Sequence, residues 1–341
     1  MNDAPSRRQV LAGGLAAAVA LGAAAPDDLA WGVIGEPLSQ ADGIAPEAEL
    51  DLARSLGFTR LRVGLTGASA EVGRLEALIE LGRGRGVSIL PVLSGGDLDR
   101  ASPKRLKRDA FDLARGLAER FRGRVAAWEL GEELETFALL QPCERRDDGS
   151  RHPCEWGPAS GAGPGDYFGP RWARVSAVLA GFSDGVAAGD AAARRAIGAG
   201  GPGHLGAFER LVHDGVAWDA TVWRDHGGAS EGELDVLSGY GKPIWLTALG
   251  APPAGAGPLA EAERASRLVE RIAFYRVLAP RFGVQAAFVE RLLDPVGGAG
   301  ARDGLVEVER GPGGAWRAGR PKASAEAVGR ALKSGRRTTP A

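Results

Sequence analysis

Short apolar segments alternate with longer amphipathic segments along the chain from about residue 29 onward. The apolar segments lack a strict alternation of apolar and polar side chains, which is typical of parallel strands that are buried on both faces. Their bounds, together with the turn residues that separate them, predict eight strands. The predicted strands are 29–34, 59–65, 87–93, 124–131, 196–199, 217–223, 242–247 and 284–290.

A predicted helix follows each strand, and several of these helices end at a glycine. The predicted helices are 46–56, 71–84, 103–121, 165–184, 206–213, 230–240, 259–282 and 324–332. Eight strand–helix pairs in a chain of 341 residues favour an α/β fold, the single-domain (β/α)8 or TIM barrel, which typically needs about 250 residues. A doubly wound open sheet is the alternative, but it usually has fewer units, and no Gly-x-Gly-x-x-Gly loop follows the first strand. We assign the barrel to residues 26–333 and a flexible basic tail to residues 334–341.

The first 25 residues have the composition of an export signal. Arg7 and Arg8 precede an Ala-rich apolar run at 11–20, and small residues at 22–24 offer a cleavage site. The run is shorter than the ~20 apolar residues that span a bilayer. We therefore expect a twin-arginine signal over residues 1–25, with retention as an uncleaved anchor as the alternative. The mature protein should then be periplasmic or extracellular, with no membrane span after signal cleavage.

Charge, cysteine and histidine content bear on three questions: nucleic-acid binding, disulfide formation and metal binding. Lys and Arg number 42 against 43 Asp and Glu, so the chain has no basic field that would attract nucleic acid. Cys143 and Cys154 are the only cysteines. In an oxidising compartment they most simply form a disulfide across a polar loop, with free thiols as the alternative. The four histidines lack the spacing of metal ligands, so we expect neither a metal nor another cofactor.

The end of the seventh predicted strand carries a family resemblance. The segment 242–250, Lys-Pro-Ile-Trp-Leu-Thr-Ala-Leu-Gly, resembles the seventh-strand signature of retaining (β/α)8 glycoside hydrolases of the cellulase and β-glycosidase clan, clan A. In that clan the residue after the Thr is a Glu, the nucleophile; here it is Ala248, whose methyl group cannot form a glycosyl-enzyme ester. The resemblance implies a substrate site that includes Trp245 and Ala248, with a degenerate active centre.

The fourth strand ends in the run Trp-Glu-Leu-Gly-Glu-Glu at 128–133. This run resembles the clan motif Trp-Glu-x-Gly-Asn-Glu, whose last Glu is the general acid/base. The resemblance places Glu133 in that role, and Glu132 replaces the Asn that would hydrogen-bond the sugar 2-hydroxyl. Adjacent carboxylates raise one another's pKa, which favours a protonated acid. The alternative is that this run of glutamates begins a solvated loop.

The second strand contains Arg62, which resembles the arginine inside the clan's barrel that orients the nucleophile. Without that nucleophile, a buried Arg62 would need another partner, because burying an unpaired charge is costly. Glu132, Glu133 or Glu290 could supply the negative charge. The alternative is an Arg62 that lies on the surface.

The sixth and eighth strands also resemble clan segments, with altered contact residues. The segment 218–226 resembles Phe/Trp-Asp-Ala-x-x-x-His-x-Tyr, with Arg224 in place of the His and His226 in place of the Tyr. At the end of the eighth strand, the clan commonly has a Trp that forms a platform under the sugar. Val289 and Glu290 occupy those positions in this chain. The resemblance therefore extends over about residues 29–332, and it is weakest at the positions that contact sugar.

Three functional hypotheses follow. The one that we favour is an exported, catalytically impaired pseudoglycosidase that binds an oligosaccharide, a polysaccharide or an envelope partner. The second is an active glycosidase with Glu133 as acid/base and a relocated carboxylate, Glu290 or Glu132, acting by a retaining or an inverting route. The third is an unrelated chemistry on the same barrel. The candidate catalytic residues are thus Glu133 and Glu290, and the candidate substrate-binding residues are Arg62, Glu132, Arg224, His226, Trp245 and Ala248.

Overall fold

The computed structural model describes residues 29–39, 44–200, 203–225, 228–250, 259–296 and 302–334. The expected export signal, His226 and all but the first residue of the basic tail lie outside these ranges. Within them, no helix is long and apolar enough to cross a membrane.

Eight parallel strands pair in chain order, and β8 closes the sheet against β1. The fold is therefore the predicted (β/α)8 barrel in a single domain. The barrel strands are β1 (Ala30–Gly35), β2 (Arg60–Leu65), β3 (Ser88–Leu93), β4 (Ala127–Leu130), β5 (Arg194–Ala199), β6 (Ala220–Arg224), β7 (Ile244–Leu249) and β8 (Val284–Val289). The helices are α1 (Pro46–Ser55), α2 (Ser69–Arg85), α3 (Pro103–Arg120), α4 (Gly169–Gly189), α5 (Gly206–His213), α6 (Glu231–Ser238), α7 (Glu261–Phe282) and α8 (Ala323–Ser334).

Two differences from the predicted elements have a local cause, and one pair of strands was not predicted. Helix α4 begins at Gly169 rather than at residue 165, because Pro170 occupies its first turn, where a missing amide hydrogen has no consequence. Strand β6 begins at Ala220, because Asp219 before it is held by the backbone and guanidinium of Arg195. An antiparallel hairpin between β8 and α8, formed by β9 (Val306–Arg310) and β10 (Trp316–Pro321), was not predicted.

Side chains that point to the barrel axis form an apolar inner layer. Trp245 from β7 lies in this layer, and the Arg60 guanidinium carbon lies 5.8 Å from the centroid of its ring. The larger apolar core lies between the strands and the surrounding helices. The inner layer is formed by Leu90, Ala127, Ala196, Ala220, Val222, Trp245, Ala286 and Phe288.

The disulfide between Cys143 and Cys154 is present, which confirms the prediction from the cysteine content. The two Cα atoms are 4.4 Å apart, closer than the most common 5.5–6 Å but within the range that disulfides occupy. The bonded loop follows β4 and is also held by Glu144, whose carboxylate accepts hydrogen bonds from both terminal nitrogens of Arg171.

Helices α3 and α4 are in close contact through a row of glycines on α4, spaced four residues apart. At each glycine an added methyl group would collide with a carbonyl oxygen of α3. The facing pairs are Gly181 with Lys107, Gly185 with Phe111, and Gly189 with Arg115. The backbones of these two helices therefore pack directly against each other.

We expect Gly185→Ala to lower the free energy of unfolding by about 1–3 kcal/mol, the usual cost of overpacking. The new Cβ would lie 2.5 Å from the carbonyl oxygen of Phe111. Gly73→Ala is the matched control, because a Cβ at this exposed position of α2 meets nothing within 4 Å. The control should stabilise the protein by about 0.5–1 kcal/mol, since glycine disfavours helix. Urea unfolding followed by circular dichroism measures both changes, and a neutral or stabilising Gly185→Ala would contradict the packing argument.

Candidate active site

A cavity of about 690 Å³ opens at the carboxyl ends of the strands. Its lining residues lie within β1, β2, β3 and β6 or in the segments that follow β1, β2, β3, β4 and β8. One further lining residue, Glu49, comes from α1. None of the described residues after β5 or β7 lines it. The cavity therefore lies on the side of the barrel that runs from β8 to β4, at the face where TIM-barrel enzymes hold their active sites.

Arg62 points inward from β2 and is 4% exposed. Its Nε and Nη2 donate hydrogen bonds of 2.8 and 2.7 Å to the two carboxylate oxygens of Glu129, and Nη2 donates a further bond of 2.9 Å to Glu132. Burial lowers the pKa of Arg62, but the carboxylates of Glu129 and Glu132 outweigh it and raise the pKa above its ordinary value. Arg62 is therefore a buried, fully charged cation with two acidic partners.

Glu129 was not among the partners predicted for Arg62. The alternation of side chains along β4 could have identified it, because Ala127 and Glu129 lie two residues apart and so point to the same face. Ala127 belongs to the inner layer of the barrel, and Glu129 lies directly above it on the axis side. Of the predicted partners, the structure pairs Glu132 with Arg62.

Arg224, at the end of β6, contacts three carboxylates at once. Its Nη1 lies 2.5 Å from Glu133 and 3.5 Å from Glu132, and its Nη2 lies 3.0 Å from Glu290. Glu133 and Glu290 therefore contact different nitrogens of one guanidinium, which lies between them.

The carboxyl groups of Glu133 and Glu290 are both shifted toward the neutral form. Burial raises the pKa of Glu133; Arg224 opposes this effect, and the neighbouring carboxylates add to it. Burial likewise raises the pKa of Glu290 against the opposing effect of Arg224. Desolvation penalises the charged form of a carboxyl group, and here this effect is larger than that of the nearby guanidinium.

Glu133 has an unusual backbone conformation and a closely packed side chain. Its φ angle is 52°, in the left-handed region that few residues other than glycine adopt. Its side chain lies against the backbone of Gly200, which leaves no room for a Cβ at that position. The loop after β5 therefore fixes the position of the Glu133 side chain.

A buried polar network behind Glu133 was not anticipated from the sequence. Glu135 accepts a hydrogen bond of 2.6 Å from the backbone N–H of Gly200, and the same oxygen lies 2.9 Å from Nδ1 of His204. The Tyr167 hydroxyl donates to the carbonyl oxygens of Gly161 and His204. The network connects the loop after β4, the segment just beyond the disulfide and the loop after β5.

Ala248 and Trp245 do not line the cavity. Ala248 is 0% exposed and has a φ angle of 60°, at a point where β7 contains one residue more than β8 between paired positions. Trp245 lies in the inner apolar layer, and its Nε1 has no hydrogen-bond partner among the described residues. The structure thus brings Arg62, Glu132, Glu133, Arg224 and Glu290 together and keeps these two residues apart from them.

No aromatic side chain lines the cavity. The segments outside the described ranges contain no Phe, Trp or Tyr, so they supply none either. The most exposed aromatic residue is Trp156, which is 60% exposed on the disulfide loop and stands edge to face against His152. Within the described residues, no three His, Cys, Asp or Glu side chains come close enough together to hold a metal ion.

Comparison with solved structures shows the same fold in glycoside hydrolases. The chain is similar to the virulence factor SghA of Agrobacterium tumefaciens (TM-score 0.59, 12% identity, 91% of this chain and 97% of that one). It is also similar to a family 1 β-glucosidase of Thermotoga maritima (TM-score 0.60, 12% identity, 90% and 97% covered). A third similar structure is an endo-β-1,4-mannanase of Thermotoga petrophila (TM-score 0.57, 16% identity, 92% and 78% covered). No protein-family model matches the sequence, and no curated protein matches it either.

Loss of Arg62 should be far more damaging than loss of an exposed arginine. Arg62→Met leaves Glu129 buried without its partner, so we expect the free energy of unfolding to fall by about 3–5 kcal/mol. Arg83→Met is the control: Arg83 is 77% exposed and pairs with Glu80, and such pairs contribute at most about 1 kcal/mol. Adding Glu129→Leu to Arg62→Met should restore much of the lost stability. Equal effects of the two single substitutions in urea unfolding would contradict this role for the pair.

The raised pKa values of Glu133 and Glu290 predict a pH dependence of stability. A carboxyl group whose pKa is higher in the folded state stabilises the fold below its unfolded pKa, here near the ordinary 4.5. That contribution is lost as the pH rises through the folded-state pKa. From these two groups we expect the free energy of unfolding to fall as the pH rises from about 4.5 toward neutrality. Glu133→Gln and Glu290→Gln should each make the fall smaller, whereas Glu307→Gln on β9 should not. Urea midpoints measured across this pH range check the slopes, and three identical slopes would refute the prediction.

Proposed function

We propose that the chain is a non-hydrolytic carbohydrate-binding protein built on a glycosidase-type barrel, with the cavity at the barrel mouth as its binding site. The observation that carries the proposal is the position of Arg224, whose guanidinium lies between Glu133 and Glu290. The similar folds support the carbohydrate part, since they include a β-glucosidase and a mannanase. A structure of SghA also contains salicin, described as a substrate analogue.

Hydrolysis of a glycosidic bond needs open space between two carboxyl groups. A retaining enzyme places the anomeric carbon between an acid/base and a nucleophile ~5–5.5 Å apart, and an inverting enzyme needs additional room for water. In this chain the space between Glu133 and Glu290 contains the Arg224 guanidinium, which is in contact with both. A substrate could react there only after displacing a cation that three carboxylates hold.

The end of β7 supports the same conclusion. Ala248 is fully buried and does not line the cavity, and a methyl group offers no nucleophilic atom. The retaining route that the family resemblance implies at this position therefore has no second carboxylate. Removal of one member of a catalytic unit can cost several orders of magnitude in rate.

The second candidate function is an active glycosidase with Glu133 as acid/base. Two observations favour it: burial raises the pKa of Glu133, which suits a proton donor, and Glu290 lies on the opposite side of Arg224. Glu290 or Glu132 would then be the relocated second carboxylate. This candidate requires Arg224 to move away from the space between the carboxylates when substrate binds.

We also propose that the protein is exported by the twin-arginine route and acts in the periplasm or outside the cell. The disulfide supports this location, because disulfides persist in oxidising compartments. The partner would then be an oligosaccharide or polysaccharide of the envelope or its surroundings.

Calorimetric titration against β-glucan, β-mannan and amino-sugar oligosaccharides, combined with product analysis, tests the proposal. We expect binding of at least one class with no release of shorter products. Ala248→Glu should remain inactive, because Ala248 is fully buried and does not line the cavity. Hydrolysis by the unmodified protein that is abolished by Glu133→Gln and Glu290→Gln, but not by the control Glu307→Gln, would establish the second candidate instead. Failure of every glycan class to bind would refute the carbohydrate proposal.

A further inference from the structure

Acidic groups outnumber basic groups at the barrel mouth. The contacts there join four carboxylates to two guanidinium groups, and both guanidinium groups are already in use. Arg62 binds Glu129 and Glu132, and Arg224 binds Glu132, Glu133 and Glu290. The network therefore has more negative than positive groups before any ligand arrives.

The rest of the cavity wall does not supply the missing positive charge. Arg291 is paired with Glu36 and Asp303, and Lys322 with Asp294. The buried Arg264 interacts mainly with Glu261 and Asp303, and its influence on Glu290 is weaker. A ligand that enters the cavity thus meets a negative surface.

One carboxylate oxygen of Glu290 has no hydrogen-bond donor among the described residues. Its Oε1 accepts a hydrogen bond from Arg224, whereas its buried Oε2 has no donor within the described part of the chain. The side chain is 12% exposed and lines the cavity. A buried carboxylate oxygen without a donor lacks a favourable interaction that a ligand N–H group could provide.

An organic cation fits this arrangement better than a metal ion or a neutral, stacked sugar. The described residues contain no cluster of three metal-ligating side chains. The cavity has no aromatic wall on which a sugar ring could stack. The Arg224 guanidinium already contacts two of the carboxylates, so an organic cation is a type of group that these carboxylates bind.

We propose that the cavity selects glycans with free amino groups, and that Glu290 binds the ammonium group of a 2-amino-2-deoxyhexose unit. This inference rests on the proposed carbohydrate binding and names the substrate class. A rotation of the Glu290 carboxyl group would bring Oε2 to the cavity, where the ammonium group would donate to it, while Arg224 keeps its contact with the same carboxylate. N-acetylation of the sugar removes the positive charge, so the acetylated glycan should lose this interaction.

Calorimetric titration of the full chain with a glucosamine tetramer and an N-acetylglucosamine tetramer tests the inference. The pH should be one at which the glucosamine amine is protonated. We expect the glucosamine oligomer to bind at least about tenfold more tightly, the usual value of one charge-assisted hydrogen bond. Salt should weaken binding of this oligomer more than that of the acetylated one.

Glu290→Gln keeps the shape of the side chain but removes its charge. It should reduce the affinity for the glucosamine oligomer by about tenfold or more, and reduce the affinity for the acetylated oligomer by a smaller factor. Glu307→Gln, on the β9–β10 hairpin, removes a charge outside the cavity and should change neither affinity.

The outcomes separate the two proposals. Equal affinity of the unmodified protein for both oligomers, or an unchanged affinity of Glu290→Gln for glucosamine, overturns the amino-sugar inference and leaves carbohydrate binding standing. A third probe, spermidine, has positive charges and no sugar. If spermidine binds and neither oligomer does, both the amino-sugar inference and the carbohydrate proposal fail, and the cavity is a site for cations alone.

Discussion

The mouth of this barrel depends on keeping several like charges close together in a partly buried space. Two arginines make this possible: Arg62 neutralises the buried carboxylate of Glu129, and Arg224 contacts Glu133 and Glu290 at the cavity. Buried ion pairs add little net stability compared with apolar packing, but they fix the positions of the groups they join. The positions of the cavity-lining carboxylates follow from where these two guanidinium groups emerge from β2 and β6.

The fold could be predicted because a parallel barrel leaves a strong signal in the sequence. Its strands are buried on both faces, so they appear as short continuous apolar runs. In the helices between them, the apolar residues recur at helical spacing. The disulfide followed from two isolated cysteines close together in the chain. The hairpin β9–β10 was missed because its strands are half exposed and rich in arginine and glutamate, such as Arg310 and Glu309, so they lack an apolar run.

The candidate site could be predicted only in part. Family resemblance and strand ends pointed to Arg62, Glu132, Glu133, Arg224 and Glu290, because all residues at the carboxyl ends of parallel strands meet at one face. The sequence could not show that one arginine would lie between Glu133 and Glu290, since this depends on side-chain conformations across half the barrel. Nor could it show that Ala248 is removed from the cavity, because this results from an extra residue in β7 that local patterns do not specify. The His204–Glu135 contact joins residues 69 positions apart and leaves no sequence signal.

The glycine row between α3 and α4 has a consequence for how such a site can evolve. These helices flank β4, the strand that leads into the acidic residues of the site, and they touch through main-chain atoms and through the small side chains of Ala110, Ala114 and Ala118. A support made of backbone and alanine methyl groups does not depend on which residues occupy the remaining helix surfaces. Mutations on those surfaces can therefore accumulate without shifting β4, and mutations in the loop beyond it can alter the cavity without weakening its foundation. Only the three glycines and the three alanines that face them are constrained by this contact, so the other positions of the two helices can vary while the scaffold under the acidic groups stays in place.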